Sequence, residues 1–479
     1  MTAEPQADRA TSRSALPLLE EWDRELSSAD PLGFPGYEAP NADEESVRTG
    51  VTHLGATQVA LIECRFDRYG GTMGAAAGER IVRAFGRATE RRLPMAAVVA
   101  SGGARLQEGV VSLIQMARTA TAVSGFANAG LLSAAVFTPH TTGGVYASWG
   151  SLADLRAAQP GSTIGFGGPR VVAELTGRLP PLNSHTAESA YVHGLVDALL
   201  EPEEQVSWLA AVLTSAATPL ELPAGRPARP GPTVGAGDAW LVLRNARSSR
   251  RPSGLEWASW LTEGWVELRG SDPTIRAGLS TIAGARVMVV AMDRHAYGDA
   301  AARQGPAAFR LARRAMRLAD RLSIPVLTLI DTPGADPAPT AEAGGIAGEI
   351  ARTLQVMAEL DVPTVALCVG EGGSGGAIAL AHTDEFLVLS GSVFSVIGPE
   401  AGAAILHRDS ARAPELARAL RIGAADLMRM RIIDSIVEET DLDPVRRVRE
   451  RVVAALTRAE IGNRNSRAAT ATRRALNAF

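Results

Sequence analysis

Val369-Gly370-Glu371-Gly372-Gly373-Ser374-Gly375-Gly376-Ala377-Ile378-Ala379 follows the apolar run that starts at Thr364 and leads into further small apolar residues. That order predicts a buried strand, a tight turn and the first turn of a helix. Glycine serves such a turn because it accepts positive φ and has no Cβ to hold a ligand away. Several backbone N–H groups then point into one space at a helix start. Negative charge is stabilised there, on a phosphate or on an enolate oxygen. The lysine of a phosphate-binding P-loop is missing, so the pattern points to an oxyanion site.

Outward from this stretch, the chain reads as one plan written twice. Pro94 opens a strand as Pro325 does, an offset of 231; Gly144 matches Gly376 at 232, Pro169 matches Pro399 at 230, and Asp197 matches Asp434 at 237. Strands are predicted over 59–64, 95–100, 131–137, 286–292, 326–330 and 364–369, with helices over 75–92, 307–322 and 345–360. This alternation predicts an α/β fold of two duplicated domains with mostly parallel sheets. The expected division is a polar N-terminal extension over 1–45 with a short helix at 18–26, then a first domain over 46–217. A Pro- and Gly-rich linker over 218–245 leads to a second domain over 246–445, and 446–479 form a C-terminal helix and tail.

A length of 479 residues and 46% hydrophobic residues allow large cores. The net charge of −4 gives no support to a nucleic-acid partner. Cys64 and Cys368 stand alone in apolar contexts, so no Cys-x-x-Cys metal site is expected. The first thirty residues are polar and broken by Pro5 and Pro17, without a secretory signal or membrane span, and the cytoplasm is the expected compartment. No residue is lysine; all 48 basic residues are arginine. The chain therefore forms no lysine Schiff base and carries neither biotin nor lipoyl on a lysine.

Gly143-Gly144 and Gly375-Gly376 occupy the same relative place in the two halves. Close packing of a helix on a sheet also selects glycine, but two such junctions in a duplicated fold favour a pair of oxyanion holes. Other candidates have bland readings beside the chemical ones. Ser374 stands in Gly-x-Ser-x-Gly, the pattern of a nucleophile elbow, with only His382 and His407 downstream to complete a triad. His140 adjoins the first turn and either donates a proton or serves the fold. Asp331 binds a ligand or caps its turn. The arginines of 307–322 attract an anion or form a solvated face.

Gly102-Gly103-Ala104-Arg105-Leu106-Gln107-Glu108, Thr141-Thr142-Gly143-Gly144-Val145 and Ile164-Gly165-Phe166-Gly167-Gly168-Pro169-Arg170 resemble the β subunit of the acetyl-CoA carboxylase carboxyltransferase. Asp331-Thr332-Pro333-Gly334-Ala335, the stretch 370–377 and Ser395-Val396-Ile397-Gly398-Pro399-Glu400 resemble its α subunit. The resemblance runs from about residue 50 to residue 439 in β–α order, as in a fused form. It implies a crotonase-like fold in each domain and carboxyl transfer from carboxybiotin to the α-carbon of an acyl-CoA, with no protein nucleophile. By resemblance, Gly143-Gly144 stabilise the thioester enolate and Gly375-Gly376 the biotin ureido oxygen. Gly102, Gly103 and Ala104 line the CoA side, while Gly372, Gly373, Ser374 and Ala377 line the biotin side. The family places its active site where a β-type domain of one protomer meets an α-type domain of another, which implies a dimer or hexamer. The implied setting is the ATP-dependent acetyl-CoA carboxylase complex of fatty acid biosynthesis. The implied partners are biotin carboxylase and a separate biotin carboxyl carrier protein.

Three features depart from the family. The four-cysteine zinc ribbon of many β subunits is absent. Pro139-His140 stands where the family has Asp-Pro, and a basic loop of the α subunit is shortened to 293–305. The leading expectation is carboxyl transfer with acetyl-CoA as first substrate. A biotin-independent malonyl-thioester decarboxylase on the same fold is the second, and a non-catalytic scaffold of a carboxylase complex the third.

Overall fold

The computed structural model describes residues 16–214, 219–226, 237–298, 301–439 and 443–476. The chain divides into two units, Met1–Thr214 and Ser215–Phe479, each built on one eight-stranded sheet. In the first, β1 (Glu20–Trp22), β2 (Val47–Leu54), β3 (Thr57–Cys64), β4 (Met95–Ser101), β5 (Ser133–Thr142) and β6 (Leu155–Ala158) lie side by side. β7 (Ile164–Gly165) pairs with the end of β5, and β8 (Ala198–Leu199) with β6. The second unit repeats this order with β9 (Gly264–Leu268), β10 (Ile275–Ile282), β11 (Ala285–Met292), β12 (Val326–Thr332), β13 (Thr364–Gly373) and β14 (Glu385–Leu389). There β15 (Val393–Ser395) pairs with β13 and β16 (Ser435–Val437) with β14. In both sheets the first two pairings are antiparallel and the rest parallel.

Parallel strands covered on both faces read as apolar runs, and these do. β12 is buried along its whole length. Ile62, Ala97, Val99, Ala135 and Phe137 form the first core, and Val289, Leu327, Leu329, Val365 and Leu367 the second. The helix Ala75–Glu90 buries Ala77, Ile81, Ala84, Phe85 and Ala88, a helical-period stripe, and Pro306–Arg321 buries Ala308, Ala312, Ala315 and Ala319 in the same role.

The duplication extends to individual hydrogen bonds. Met95 pairs with Ser133 in one sheet and Val326 with Thr364 in the other, each an offset of 231. Asp154 accepts the Ser133 N–H at 2.9 Å, and Asp384 the Thr364 N–H at 3.0 Å. Asp197 accepts the Arg156 N–H at 2.8 Å, and Asp434 the Phe386 N–H at 2.7 Å. The matched aspartates therefore hold strand starts and edges together.

Two expectations need correction. Residues 18–26 are not helical: Glu20–Trp22 is the edge strand of the first sheet, paired with Thr49–Val51. Only Trp22 of its three residues is buried, so its apolar signal is too short to read. Residues 16–45 belong to the first unit, and 1–15 lie outside the described residues. The linker over 218–245 ends in a helix, Ala239–Ala246, capped by Asp238 and buried through Val242, Leu243 and Ala246 against Val393, Ala417 and Ile422. Eight residues behind a Pro- and Gly-rich run hide that helix, while 218 and 227–236 are outside the described residues. No helix among the described residues is long and apolar enough to cross a membrane.

Candidate active site

Each unit brings two backbone segments together where β4 and β5, or β12 and β13, end. In the first unit Gly102-Gly103-Ala104 follows β4. Gly103 has φ +108°, and its N–H donates to Ser101 Oγ at 3.0 Å. The matching turn after β12 repeats this: Gly334 has φ +129° and its N–H donates to Thr332 Oγ1 at 3.0 Å. The carbonyl of Met73 accepts the Arg105 N–H, and that of Gln304 the Asp336 N–H, both at 3.0 Å.

The second segment starts a helical turn with one left-handed residue. In the first unit this is Gly143, φ +63°, whose N–H donates to the Phe166 carbonyl at 3.0 Å. A Cβ on Gly103 would lie 3.0 Å from both Gly143 Cα and Gly144 N, and one on Gly144 would lie 3.5 Å from Ala104 Cβ. Gly102, Gly103, Ala104, Gly143 and Gly144 are therefore brought together, backbone to backbone. Gly144 N–H belongs to the first turn of a helix, where donors have no intrahelical acceptor.

In the second unit the left-handed residue is Ser374, φ +57°. It starts the helix Ser374–Ala381, as Gly143 starts the turn Gly143–Val145. The counterpart of Gly143-Gly144 is thus Ser374-Gly375, one residue before the sequence pairing. A Cβ on Gly373 would lie 2.8 Å from Gly334 N and would run into Pro333. One on Gly376 would lie 2.7 Å from Ala335 N. One on Gly372 would run into the Phe394 ring, and one on Gly370 into Asp331 Oδ1. Packing dictates glycine at these positions. Gly375 differs, because its Cβ would meet only Ile350 Cγ2 at 3.8 Å. Gly375 is half-buried, Ser374 exposed and Ala377 buried.

Behind the first turn lies a buried ionic cluster that reading the sequence did not find. Arg105 pairs with Glu45 and, at 3.0 Å, with Glu108; all three side chains are at most 1% exposed. Tyr37 Oη donates to Glu108 at 2.9 Å, and Tyr69 lies under the guanidinium, its ring centroid 5.2 Å away. Burial opposes the Arg105 cation, yet Glu45 and Tyr37 outweigh it and raise its pKa. For Glu108 burial is outweighed by the Ala75 N–H and by Arg105, so its carboxyl titrates below the ordinary range. Burial pushes the Tyr37 phenol up to about 12. The cluster ties residues 37 and 45 to the loop that carries Gly102 to Ala104. Its one sequence signal was Arg105-Leu106-Gln107-Glu108, whose i,i+3 pair faces inward.

Asp331 does not cap its own turn, where Thr332 Oγ1 accepts the Gly334 N–H; it ties β12 to β13 instead. Its Oδ1 accepts the Glu371 N–H at 3.1 Å, where the pairing of β12 with β13 shifts register, and Arg294 stands 3.5 Å away. Burial pushes this carboxyl up to about 6, against the opposing pull of Arg294. Ser374 has no histidine partner among the described residues: His382 Nε2 bonds Asn465 Oδ1 at 3.2 Å and His407 is exposed. A catalytic triad is not assembled there. The ring of exposed His140 lies tilted at 38° against Phe66, with centroids 5.3 Å apart. On the helix Pro306–Arg321, Arg310 and Arg313 converge with Arg352 on Glu349. Residues 299 and 300 of the loop over 293–305 lie outside the described residues.

Among the described residues, neither turn has a nucleophile held by a base. In each unit the turn presents backbone N–H groups at the start of a helical turn, suited to stabilising negative oxygen without covalent chemistry. Residues 30–253 match the carboxyl transferase domain family, and residues 236–475 match the family described as acetyl co-enzyme A carboxylase carboxyltransferase-like. A Salinispora arenicola protein named acetyl-coenzyme A carboxylase carboxyl transferase subunits beta/alpha is 41% identical over 440 residues, 86% of this chain and 78% of the relative. A Mycobacterium tuberculosis protein named probable biotin-dependent acyl-coenzyme A carboxylase beta3 subunit is 38% identical over 431 residues, 89% and 84% of the two chains. In fold, the chain is similar to transcarboxylase 12S, solved with methylmalonyl-coenzyme A and methylmalonic acid bound. The TM-score is 0.74 at 19% identity, covering 89% of this chain and 84% of that one.

Proposed function

We propose a substrate and a set of residue roles from the premise that this chain belongs to the acetyl-CoA carboxylase carboxyltransferase family and is a carboxyltransferase. Its acceptor is an acyl-CoA, with acetyl-CoA first, and its product malonyl-CoA. The observation that carries this reading is the close approach of two backbone turns within each unit, Gly103 to Gly143-Gly144 in the first and Gly334-Ala335 to Gly373 and Gly376 in the second. Two reacting partners carry negative oxygen in turn during carboxyl transfer, and each turn serves one of them.

In the first unit the N–H groups of Ala104 and Gly144 receive the thioester oxygen as the α-carbon loses its proton. Gly143 starts the helical turn that aims Gly144, and Gly102 and Gly103 leave room for the CoA arm. In the second unit Gly373 and Gly376 bring the start of the helix Ser374–Ala381 against Gly334 and Ala335, so that the Ala335 N–H stays uncovered. The open face at Gly375 takes the ureido oxygen of biotin; Gly372, Ser374 and Ala377 hold the turn's shape. Carboxybiotin, brought by a separate carrier protein that a biotin carboxylase loads, supplies both the carboxyl group and the base for the acyl α-proton. The assembly is a homo-oligomer.

Turnover of malonyl-CoA by the purified protein, with and without free biotin, tests the reading through release of acetyl-CoA and CO2. Biotin-dependent turnover is expected. Equal rates without biotin would make the chain a decarboxylase. Turnover of methylmalonyl-CoA in place of malonyl-CoA would move the acceptor to a longer acyl group.

A further inference from the structure

The two turns share one backbone and differ in charge. In each unit the segment leading into the first long helix passes over the turn. In the first unit it is Thr72-Met73-Gly74, with the helix starting at Ala75; in the second it is Arg303-Gln304-Gly305, with the helix starting at Pro306. The matched bonds of Met73 to Arg105 and of Gln304 to Asp336 fix the correspondence, again at an offset of 231. Thr72 and Arg303 are therefore counterparts. Thr72 presents a methyl 3.5 Å from where a Cβ of Gly102 would be. Arg303 presents Nη1 3.3 Å from where a Cβ of Gly334 would be, and 3.5 Å from the Pro333 carbonyl.

Arg303 is exposed, yet the backbone on either side of it is fixed. Ala302 N–H donates to Arg294 O at 2.9 Å, and Gly305 N–H to Asp272 at 3.0 Å. Among the described residues no carboxylate pairs with Arg303; Asp336 Oδ1, in the same turn, accepts the Ala338 N–H at 3.0 Å. An exposed arginine held over a backbone turn, with no carboxylate partner among the described residues, is a place for negative or partly negative oxygen.

We propose that Arg303 binds the ureido oxygen of biotin at the second turn, which extends the assignment of that turn to biotin made above. When carboxyl transfer begins, the N–C bond to the carboxyl group breaks, CO2 leaves neutral, and the electron pair stays on the ureido group. Negative charge thus grows on the oxygen nearest the guanidinium, so Arg303 acts more strongly on the transition state than on the bound ground state. At the first turn neutral Thr72 stands in that place, its hydroxyl donating to the Tyr69 carbonyl at 2.7 Å.

The test compares the full chain with Arg303→Met and Arg303→Lys. Affinity for biotinamide, which has no charge of its own, is read by ligand-observed NMR; biotin-dependent malonyl-CoA turnover is read in parallel. Arg303→Met should weaken biotinamide by about tenfold and lower kcat by at least about tenfold. KM for malonyl-CoA and the unfolding midpoint should stay near wild type, and Arg303→Lys should recover much of the loss. Unchanged biotinamide affinity and kcat in Arg303→Met would overturn the proposal while leaving biotin use intact. A rise confined to the malonyl-CoA KM would overturn it in favour of an acyl-CoA contact. If wild type turns over malonyl-CoA without biotin and binds no biotinamide, both the biotin reading and this proposal fall.

Discussion

Gly375 and Gly376 are neighbours with opposite reasons for being glycine. A Cβ at Gly376 would press on Ala335 N at 2.7 Å and Gly334 C at 3.2 Å, backbone atoms that have nowhere to go. Gly376→Val should therefore cost on the order of 1–3 kcal/mol of stability and remove turnover with it. At Gly375 nothing closer than 3.8 Å opposes a Cβ, and alanine favours a helix. Gly375→Ala should leave the unfolding midpoint unchanged or slightly raised, yet lower biotin-dependent kcat about tenfold or more by covering the oxyanion face. Full activity in that variant would mean the oxygen sits elsewhere. Asp331 makes a different statement, about pH. Its pKa is raised by burial to about 6, so the stability tied to its protonated form is complete at low pH and is lost as pH rises through about 6. Asp331→Asn keeps an oxygen for the Glu371 N–H and removes the titration. Urea unfolding of both proteins from about pH 4 to 8 should show the variant gaining on wild type as pH rises.

At the scale of elements, what could be read in the sequence was what the local backbone demands. The run from Gly370 to Gly376 announces a turn because steric and φ requirements act on each residue separately, and the long apolar strands announce themselves by composition. The segment over 16–45 did not, because its order comes from distant partners. Arg80, 1% exposed, donates to the carbonyls of Arg24, Leu26, Ala42 and Val47, and Asp23 pairs with Arg83 and Arg87. No pattern within the segment signals a side chain that will be met from the helix Ala75–Glu90. The same holds for Glu45, which lies sixty positions before Arg105. Removing a partner from a buried pair leaves the other charge uncompensated. Glu45→Ala should therefore cost about 3–5 kcal/mol in chemical denaturation. Because Arg105 anchors the loop after Gly102 to Ala104, KM for the acyl-CoA should rise in whatever fraction remains folded. A loss under about 1 kcal/mol would show that Glu108 alone satisfies the guanidinium.

Across the whole molecule the duplication was legible in four landmark offsets because each landmark is a backbone necessity: a proline before a strand, a proline at a helix start, a glycine in a turn, an aspartate holding an edge. The residue-level correspondence was not, since Ser374 takes a left-handed conformation that the sequence suggested only for glycine. Charge differs between the copies where fold does not, as Thr72 and Arg303 show. A second whole-chain property is compositional: none of the 479 residues is lysine. Enzymatic biotinylation forms an amide with a lysine amine, so these residues offer a biotin ligase no acceptor side chain. Expressed with an active ligase, the chain should show no biotin adduct by intact mass or streptavidin blot. Carboxyl transfer to acetyl-CoA, with biotin carboxylase, ATP and bicarbonate supplied to form carboxybiotin, should then require free biotin or a biotinylated carrier in trans, with rate rising and saturating as carrier is added. Adding avidin to occupy the carrier should abolish that rate while leaving acyl-CoA binding intact. A biotin adduct on the chain, or transfer that avidin does not inhibit, would mean the carboxyl group reaches these turns by another route.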